Sequence, residues 1–500
     1  MKLPSSADDL GAGYRSSSSS SIRFVLFVDG VLLLILSAAM AVPLLLDFAT
    51  ANDDWTSFAL SAGVSAYAGA MLTLANRGYA GRIDRRTGYM LTVSAWLTVG
   101  TFGALPFLFS SLDMSITDAF FETMSGLTTT GSTVIVGLDG LPLGLLLWRS
   151  LLQWIGGAGI IVMAILLLPA LGVGGMQLFR TESSDISDNL AARQYHMARL
   201  TVSAYVWLTI ACAIAYGFAG MGAFDAVNHA MTTLATGGYS TKDASIGYFN
   251  SVPIEIVGIV FMIAGALPLI LYTRLLSQKA RAFLQEPQVP VFLAIFAAAV
   301  VMITLWNVDV NGMAVGTALR ASAFNVASIL TDTGYATTDY SAWGSFAVGL
   351  FFMLMLIGGC AGSTAGAIKV FRWQILFGGA VRQLKSMLSP HRVLSPRYGQ
   401  RPINASMVES VRNFFFLYIV TFLVLSLGVM ATGLDFLSST SAVAQAMANA
   451  GPGLGPVVGP AANFASVEDP AKWLLVFGML LGRLELSTVY VLLLVGWQRA

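Results

Sequence analysis

The feature that most constrains the fold is a series of ten apolar segments, each long enough to cross a lipid bilayer. They occupy residues 23–48, 56–75, 89–110, 144–170, 198–221, 252–275, 289–306, 342–368, 410–433 and 471–497. Charged residues make up only 11% of the chain, against about 25% in soluble globular domains. The sequence therefore predicts an all-α polytopic membrane protein.

Four shorter segments interrupt this series, one before every second apolar segment from the fourth onward. Each has about ten mildly apolar residues, as in 118–127, 225–234 and 321–330, and leads into a loop that ends in glycine. The loops are residues 128–131, 235–238, 331–334 and 450–453. Segments this short suit re-entrant half-helices, which are stable at membrane depth only inside protein or along a water-filled cavity. The pattern predicts two leading helices plus four helix–pore loop–helix repeats around one central pore, with ten spanning helices.

The same pattern divides the chain into successive units. Residues 1–22, with six consecutive serines, are predicted to be a disordered cytosolic tail, and residues 23–88 contain the two leading transmembrane helices. Pore repeats one to four follow at 89–197, 198–285, 286–405 and 406–500.

The basic residues indicate the orientation in the membrane. Of the 27 Lys and Arg residues, 22 fall in the tail, the loops between repeats or the C-terminus. The positive-inside rule therefore predicts that both termini and all inter-repeat loops are cytosolic. Acidic residues such as Asp118 and Asp225 fall on the opposite side, where they would concentrate cations at a pore mouth. For any single acid, ordinary asymmetry between the two sides of a membrane protein is the alternative explanation.

The sequence lacks the residue patterns of metal-binding and nucleotide-hydrolysing proteins. The three histidines and two cysteines are scattered, without a second ligand at metal-binding spacing. No glycine-rich loop is followed by the Lys-Ser or Lys-Thr pair that binds nucleotide phosphates. We therefore expect no enzyme activity, no cofactor and no resident metal.

The four glycine-ended loops have the chemistry of a cation filter. A cation that enters a filter must exchange its water shell for other oxygen atoms, and rings of backbone carbonyls supply them. Glycine allows the positive φ angles that turn carbonyls inward. Aligned on their last residues, the loops place Gly131, Gly238, Gly334 and Gly453 in one layer. The candidate ion-binding residues are Thr129, Thr130, Gly131, Thr236, Gly237, Gly238, Asp332, Thr333, Gly334, Gly451, Pro452 and Gly453.

Several motifs resemble those of the Trk/Ktr/HKT superfamily of potassium transporters, and most closely its bacterial TrkH-type members. They are residues 128–133 (TTTGST), 154–157 (WIGG) with Gly159, 171–180 (LGVGGMQLFR), 235–241 (ATGGYST), 358–364 (GGCAGST), 451–455 (GPGLG) and 481–485 (LGRLE). The resemblance runs from about residue 23 to the end and covers all four repeats. It implies that the filter passes potassium. Some plant relatives that select sodium have serine at the position of Gly131.

A second group of residues is a candidate gate. Helix 342–368 contains four glycines within residues 358–366, and each weakens a helix by about 1 kcal/mol relative to alanine. Close helix packing through Gly358 and Gly362 is the alternative to a loop at this place. Arg483 lies within the last apolar segment, and a structural Arg–Glu brace between helices is its alternative role. The resemblance implies a gate formed by Gly358, Gly359, Gly362, Ser363, Thr364, Gly366 and Arg483.

Asp332 departs from the expected family pattern, in which this filter position is usually Thr or Gly. Directed at the axis, its carboxylate would strengthen cation binding. Directed into the wall, it would need a partner, for which Arg320 is a candidate. We expect the second orientation, because an unpaired charge inside a membrane protein is costly.

The sequence thus leads to one expected function with open alternatives. We expect potassium uptake across the cell inner membrane, with membrane lipid, a second copy of the chain and a cytosolic nucleotide-binding regulatory subunit (an RCK-type ring) as partners implied by the resemblance. A sodium-permeable member, or a symporter coupled to protons or sodium, is one alternative. A membrane sensor without transport activity is a more remote one.

Overall fold

The computed structural model describes residues 7–78, 85–166, 189–275, 285–389, 394–399 and 401–497. The α-helices are Ala7–Ala49, Trp55–Ala75, Arg85–Gly103, Leu105–Phe109, Ile116–Leu127, Leu143–Leu166, Asn189–Phe218, Ala223–Leu234, Val252–Ala266, Ile270–Leu275, Gln288–Asp309, Val315–Leu330, Ser345–Met355, Val370–Leu388, Ala405–Met430, Phe436–Ala448, Asp469–Arg483 and Leu486–Trp497. Short 3-10 helices are Leu138–Gly140, Ser245–Phe249 and Tyr340–Trp343. Strands Arg397–Tyr398 and Arg401–Pro402 pair antiparallel, with Arg397 opposite Pro402. The predicted all-α class is confirmed.

Seven helices in the described ranges are long and apolar enough to cross a membrane as single rods. The pair Asp469–Arg483 and Leu486–Leu494 is bent by 108° and makes an eighth when the two helices are counted as one broken span. The other two predicted spans are interrupted. Residues 252–275 form two helices with Pro268 between them, where proline cannot donate a helical hydrogen bond. Residues 342–368 stop being helical after Met355, before the glycine-rich stretch. Three of the ten predicted spans are therefore broken helices.

The first helix begins at Ala7, inside the segment predicted to be a disordered tail. Serine costs a helix only a few tenths of a kcal/mol relative to alanine, and the helix contains no proline before Pro43. The serine-rich stretch can therefore continue the helix set by the apolar residues that follow it. The first six residues of the predicted tail lie outside the described residues, as does the motif at 171–180.

The chain divides into two compact units. One comprises Met1–Met114, Pro142–Leu145 and Thr488–Ala500, and the other comprises Ser115–Leu141 and Leu146–Ser487. In the first unit the two leading helices pack along each other, and Ser37 Oγ donates a hydrogen bond to the carbonyl of Ala62 at 2.8 Å. The second unit contains every candidate filter and gate residue.

Four short helices of the second unit occupy the places of the predicted half-helices. They are Ile116–Leu127, Ala223–Leu234, Val315–Leu330 and Phe436–Ala448. At the first, Ser115 Oγ accepts a hydrogen bond from the backbone N–H of Asp118, and at the fourth Asp435 accepts one from Ser438. Such caps satisfy N–H groups that a helix start leaves free. The last two turns of each helix are buried, so these four pore helices are held inside protein.

Candidate functional site

The same pattern of backbone hydrogen bonds connects each of the four loops to the end of its pore helix. The backbone N–H groups of Thr130, Gly237, Thr333 and Ala450 each donate to the carbonyl five residues earlier, at 2.8 to 3.0 Å. The residue before each donates to the carbonyl three residues earlier. Because this hydrogen-bond pattern is common to all four loops, it aligns them by their geometry, independently of where glycine occurs.

The loops also share an alternation of backbone handedness. Thr129, Thr236, Asp332 and Asn449 have φ angles between +50° and +58°. Two residues later, Gly131, Gly238, Gly334 and Gly451 have φ angles between +73° and +92°, while the residues between them do not have positive φ. Positive φ angles therefore recur at matched positions, two residues apart, in all four loops. Positive φ at Thr or Asp costs about 1–3 kcal/mol, and such strain clusters at functional sites.

The four loops form a closed ring. A Cβ placed on Gly131 would lie 2.1 Å from the carbonyl oxygen of Gly237, and one on Gly238 would lie 1.9 Å from that of Thr333. A Cβ on Gly334 would lie 2.6 Å from the carbonyl oxygen of Ala450, and one on Gly451 would lie 3.3 Å from that of Thr130. Each glycine therefore packs on the backbone of the next repeat, and the fourth returns to the first.

This ring corrects the predicted alignment of the fourth loop. The glycine that matches Gly131 is Gly451, so Pro452 and Gly453 lie beyond the shared layer. Gly453 lacks a positive φ, and its N–H donates to the carbonyl of Val458 at 2.7 Å. Alignment on the last glycine failed because this loop contains two glycines, two residues apart. We call residues 129–131, 236–238, 332–334 and 449–451 the candidate filter loops.

Asn449 and Ala450 therefore belong to the fourth candidate filter loop, and the sequence analysis missed them. A signal for Asn449 existed, because asparagine adopts the left-handed conformation more readily than most residues. Its Nδ2 donates to Thr130 Oγ1 and to the carbonyl of Met479, both at 3.0 Å. The side chain thus joins the fourth loop to the first.

Buried side chains hold the loops from behind. Arg149 Nε pairs with Glu122 at 2.8 Å, and Glu122 also accepts hydrogen bonds from Thr133 and from the N–H of Val134. Arg149 further donates to the carbonyl of Ser240 at 2.8 Å, which connects repeats one and two. Both charged side chains are at most 1% exposed.

Two carbonyls of the candidate filter loops also accept hydrogen bonds from side chains. Gln153 Nε2 donates to the carbonyl of Gly237 at 2.6 Å, while its Oε1 accepts from the N–H of Tyr239. Ser132 Oγ donates to the carbonyl of Gly451 at 2.9 Å. A carbonyl oxygen has a second lone pair, so these bonds fix its direction and leave it able to bind a cation.

Asp332 is fully buried, and its carboxylate faces the loop that was predicted as the gate. A Cβ on Gly358 would lie 3.0 Å from Asp332 Oδ2. No described side chain hydrogen-bonds the carboxylate, which lies near the backbone N–H groups of Gly359 and Gly366. The predicted partner is wrong, because Arg320 pairs with Glu255 at 2.7 Å. The charges that act on the Asp332 carboxylate are those of Lys369 and Arg483.

Residues 356–369, the candidate gate loop, are not helical. The alternative of close helix packing through Gly358 and Gly362 is therefore wrong, because neither glycine lies in a helix. Thr364 Oγ1 donates to the carbonyl of Leu234 at 2.9 Å, and the N–H of Ala367 donates to that of Ala448 at 2.8 Å. The loop thus crosses the C-terminal ends of the second and fourth pore helices.

Arg483 ends helix Asp469–Arg483 and is 3% exposed. It donates to the carbonyl of Thr364 at 3.0 Å and to that of Gly156 at 3.3 Å. Glu485 pairs instead with Arg372 at 2.6 Å, so Arg483 has no carboxylate partner within 4 Å in the described part of the chain. Its charge remains at the candidate gate loop, beside a cavity of about 50 Å³.

A family model described as "TrkH: Cation transport protein" matches residues 56–497. The chain belongs to the TrkH family of cation transport proteins. Among TrkH-family relatives it is 42% identical to the Trk system potassium uptake protein TrkI of Halomonas elongata, over 94% of this chain and 95% of that protein. It is 40% identical to the Trk system potassium uptake protein TrkH of Escherichia coli, over 94% and 98%.

A solved TrkH structure has the same fold. The crystal structure of the potassium transporter TrkH from Vibrio parahaemolyticus superposes with a TM-score of 0.87 at 36% identity, and covers 94% of this chain and 98% of that one. The family resemblance noted from the motifs is confirmed, and the chain is a multi-pass membrane protein.

Proposed function

We propose that this chain takes up potassium ions across the cell inner membrane through the four candidate filter loops. The observation that carries the proposal is the closed ring, in which every loop has the same exit from its helix and the same alternation of φ. Carbonyl rings of this kind replace the hydration shell of a cation without burying a full negative charge. The relatives above are named as potassium uptake proteins.

The pore helices add to the cation preference of the ring. Each loop follows directly on the C-terminal end of its helix. A helix C-terminus carries about half a negative charge, so four such ends favour a cation near the ring. No group of three or more His, Cys, Asp or Glu side chains able to hold a metal occurs in the described residues. We therefore propose a transporter without enzyme activity and without a cofactor.

We further propose that the candidate gate loop and Arg483 control passage below the ring. The loop is bonded to the ends of two pore helices and to Arg483. A fixed positive charge at this level opposes the passage of cations. By family resemblance we propose a homodimer with both termini in the cytosol, regulated by a cytosolic nucleotide-binding ring.

The test is growth of a bacterium that lacks potassium uptake, at limiting potassium, with this chain and its regulatory partner expressed. We expect rescue by the wild-type chain. Absence of rescue, with the protein detected in the membrane, would contradict the proposal. Flux of rubidium and sodium into liposomes, at zero potential and with or without a pH gradient, separates passive potassium transport from sodium permeation and from proton symport.

A further inference from the structure

A second cavity lies away from the candidate filter, beside the C-terminal half of helix Val370–Leu388. Its volume is about 210 Å³, and it is enclosed by this helix, the residues around strand Arg397–Tyr398 and the start of helix Ala405–Met430. Three basic side chains line it, Arg382, Lys385 and Arg397, and no acidic residue does. The cavity therefore has the charge of an anion site.

In the described part of the chain the three cations have no acidic partner. Neither Arg382 nor Lys385 nor Arg397 makes an ion pair or a side-chain hydrogen bond within the described ranges. Three positive charges around one cavity repel one another, although solvent screens Lys385 and Arg397, which are exposed, and an anion between them relieves this repulsion. A phosphate group suits guanidinium groups in particular, because its oxygens accept paired N–H donors.

An exposed apolar stripe runs along the same helix next to the cavity. Phe377, Val381, Leu384 and Leu388 are 74%, 38%, 62% and 84% exposed. With 3.6 residues per turn, these four positions fall within about 60° of one another on the helix surface. Val381 also lines the cavity, so the stripe and the basic cavity are continuous.

Gly378 leaves the cavity open on the helix side. A Cβ added at Gly378 would meet no other atom within 4 Å. The position therefore accepts a larger side chain without a clash, and such a side chain would occupy the cavity.

We propose that this cavity binds the phosphate headgroup of an anionic phospholipid, with an acyl chain of that lipid along the apolar stripe. A lipid is the ligand that presents a phosphate and a long apolar chain at adjoining surfaces. The helix is at a suitable depth, because it follows the candidate gate loop and ends in the segment whose basic residues indicate the cytosolic side. Basic pockets between helices at the cytoplasmic surface recognise anionic headgroups in this way. The inference does not depend on which ion crosses the filter.

The test is lipid retention by the purified chain in native mass spectrometry, with phosphatidylglycerol and phosphatidylcholine of identical acyl chains as competing probes. We expect phosphatidylglycerol to be retained at least about tenfold in preference. Each of the variants R382Q, K385Q and R397Q should weaken its retention about fivefold, and the triple variant about a hundredfold, since each basic residue contributes about 1 kcal/mol. R412Q, which removes an exposed cation outside the cavity, is the matched control and should keep the full preference.

Gly378→Leu provides a second variant that keeps all three charges and fills the cavity. It should lose the preference for phosphatidylglycerol while the thermal unfolding temperature stays within a few degrees of that of the wild-type chain. A preference that survives both this variant and the triple variant would overturn the proposal. Equal competition by glycerol 3-phosphate, which lacks acyl chains, would assign the cavity to a free phosphate ester and would overturn the lipid assignment.

Discussion

The alignment of the fourth candidate filter loop leads to a direct comparison of two glycines. A Cβ on Gly451 would lie 2.8 Å from the Cα of Gly334. Carbon atoms pack best at about 3.5–4.0 Å, so an alanine at 451 must move the two loops apart by roughly 0.7 Å. Its φ of +92° adds strain, because alanine lacks the freedom of glycine in this region.

An alanine at position 453 would meet a different environment from an alanine at position 451. The nearest atoms to its Cβ are Val458 Cγ2 at 2.6 Å and Ser441 Oγ at 3.1 Å, which are side-chain atoms outside the candidate filter loops. Gly453 also lacks a positive φ. We therefore expect G453A to leave the ring as it is, whereas G451A widens it.

Selectivity is the quantity that separates the two variants. Discrimination between potassium and sodium depends on the size and field of the carbonyl ring, and a loss of about 1.4 kcal/mol in that discrimination is a tenfold change. In liposomes loaded with the purified chain, we expect G451A to lower the potassium-to-sodium permeability ratio by about tenfold or more. G453A should stay within twofold of wild type. A large change for G453A together with an unchanged G451A would refute the alignment.

Three further predictions concern the ring, its support and the loop beneath it. G131S should raise sodium permeation in the same flux assay, because its Cβ would displace the carbonyl of Gly237, 2.1 Å away; unchanged selectivity would count against the ring. R149M should lower the free energy of unfolding by about 3–5 kcal/mol, measured by thermal unfolding, because it leaves Glu122 buried and unpaired; a cost below 1 kcal/mol would mean that this pair does not support the loops. Deletion of residues 362–366 should raise basal rubidium flux, and a silent, unstable protein would favour a purely structural loop.

In the first three loops the alignment on the last glycine agrees with the backbone φ angles, because Gly131, Gly238 and Gly334 each lie four residues after the last residue of their helix. In the fourth loop, Gly451 and Gly453 both satisfy the pattern, and the choice depends on where the helix ends. That end is set by Asn449 in the left-handed conformation, which periodicity of apolar residues does not indicate. Backbone dihedrals, and not composition, therefore decide the alignment.

The gate region shows a different limit of sequence analysis. Glycine density in the eighth apolar segment leaves close helix packing open as an alternative, and the family resemblance favours a loop. The structure has a non-helical stretch from Leu356 onward. The pairing of Arg320 could not be predicted, because ion pairs in a membrane protein join residues far apart in the chain. Arg320 pairs with Glu255, 65 positions away, and no local pattern favours that acid over Asp332.

The contact between the candidate gate loop and the second pore helix leads to a prediction that this loop and the candidate filter loops are coupled. Thr364 Oγ1 donates to the carbonyl of Leu234, the last residue of that helix. Thr364→Val keeps the shape and removes the donor, which costs about 0.5–1.5 kcal/mol in the state that has the bond. If the loop must leave this carbonyl for ions to pass, the loss falls on the closed state, and basal flux should rise about fivefold.

A matched control for Thr364→Val is Ser363→Ala, whose lost hydrogen bond to the carbonyl of Cys360 lies within the loop itself. We expect this variant to change stability by a similar amount and basal flux by less than twofold, because the end of the pore helix keeps its donor. Equal increases in flux for the two variants would mean that any loosening of the loop opens the path. The bond from Thr364 to the pore helix would then have no special part in gating, and the coupling argued from it would be wrong.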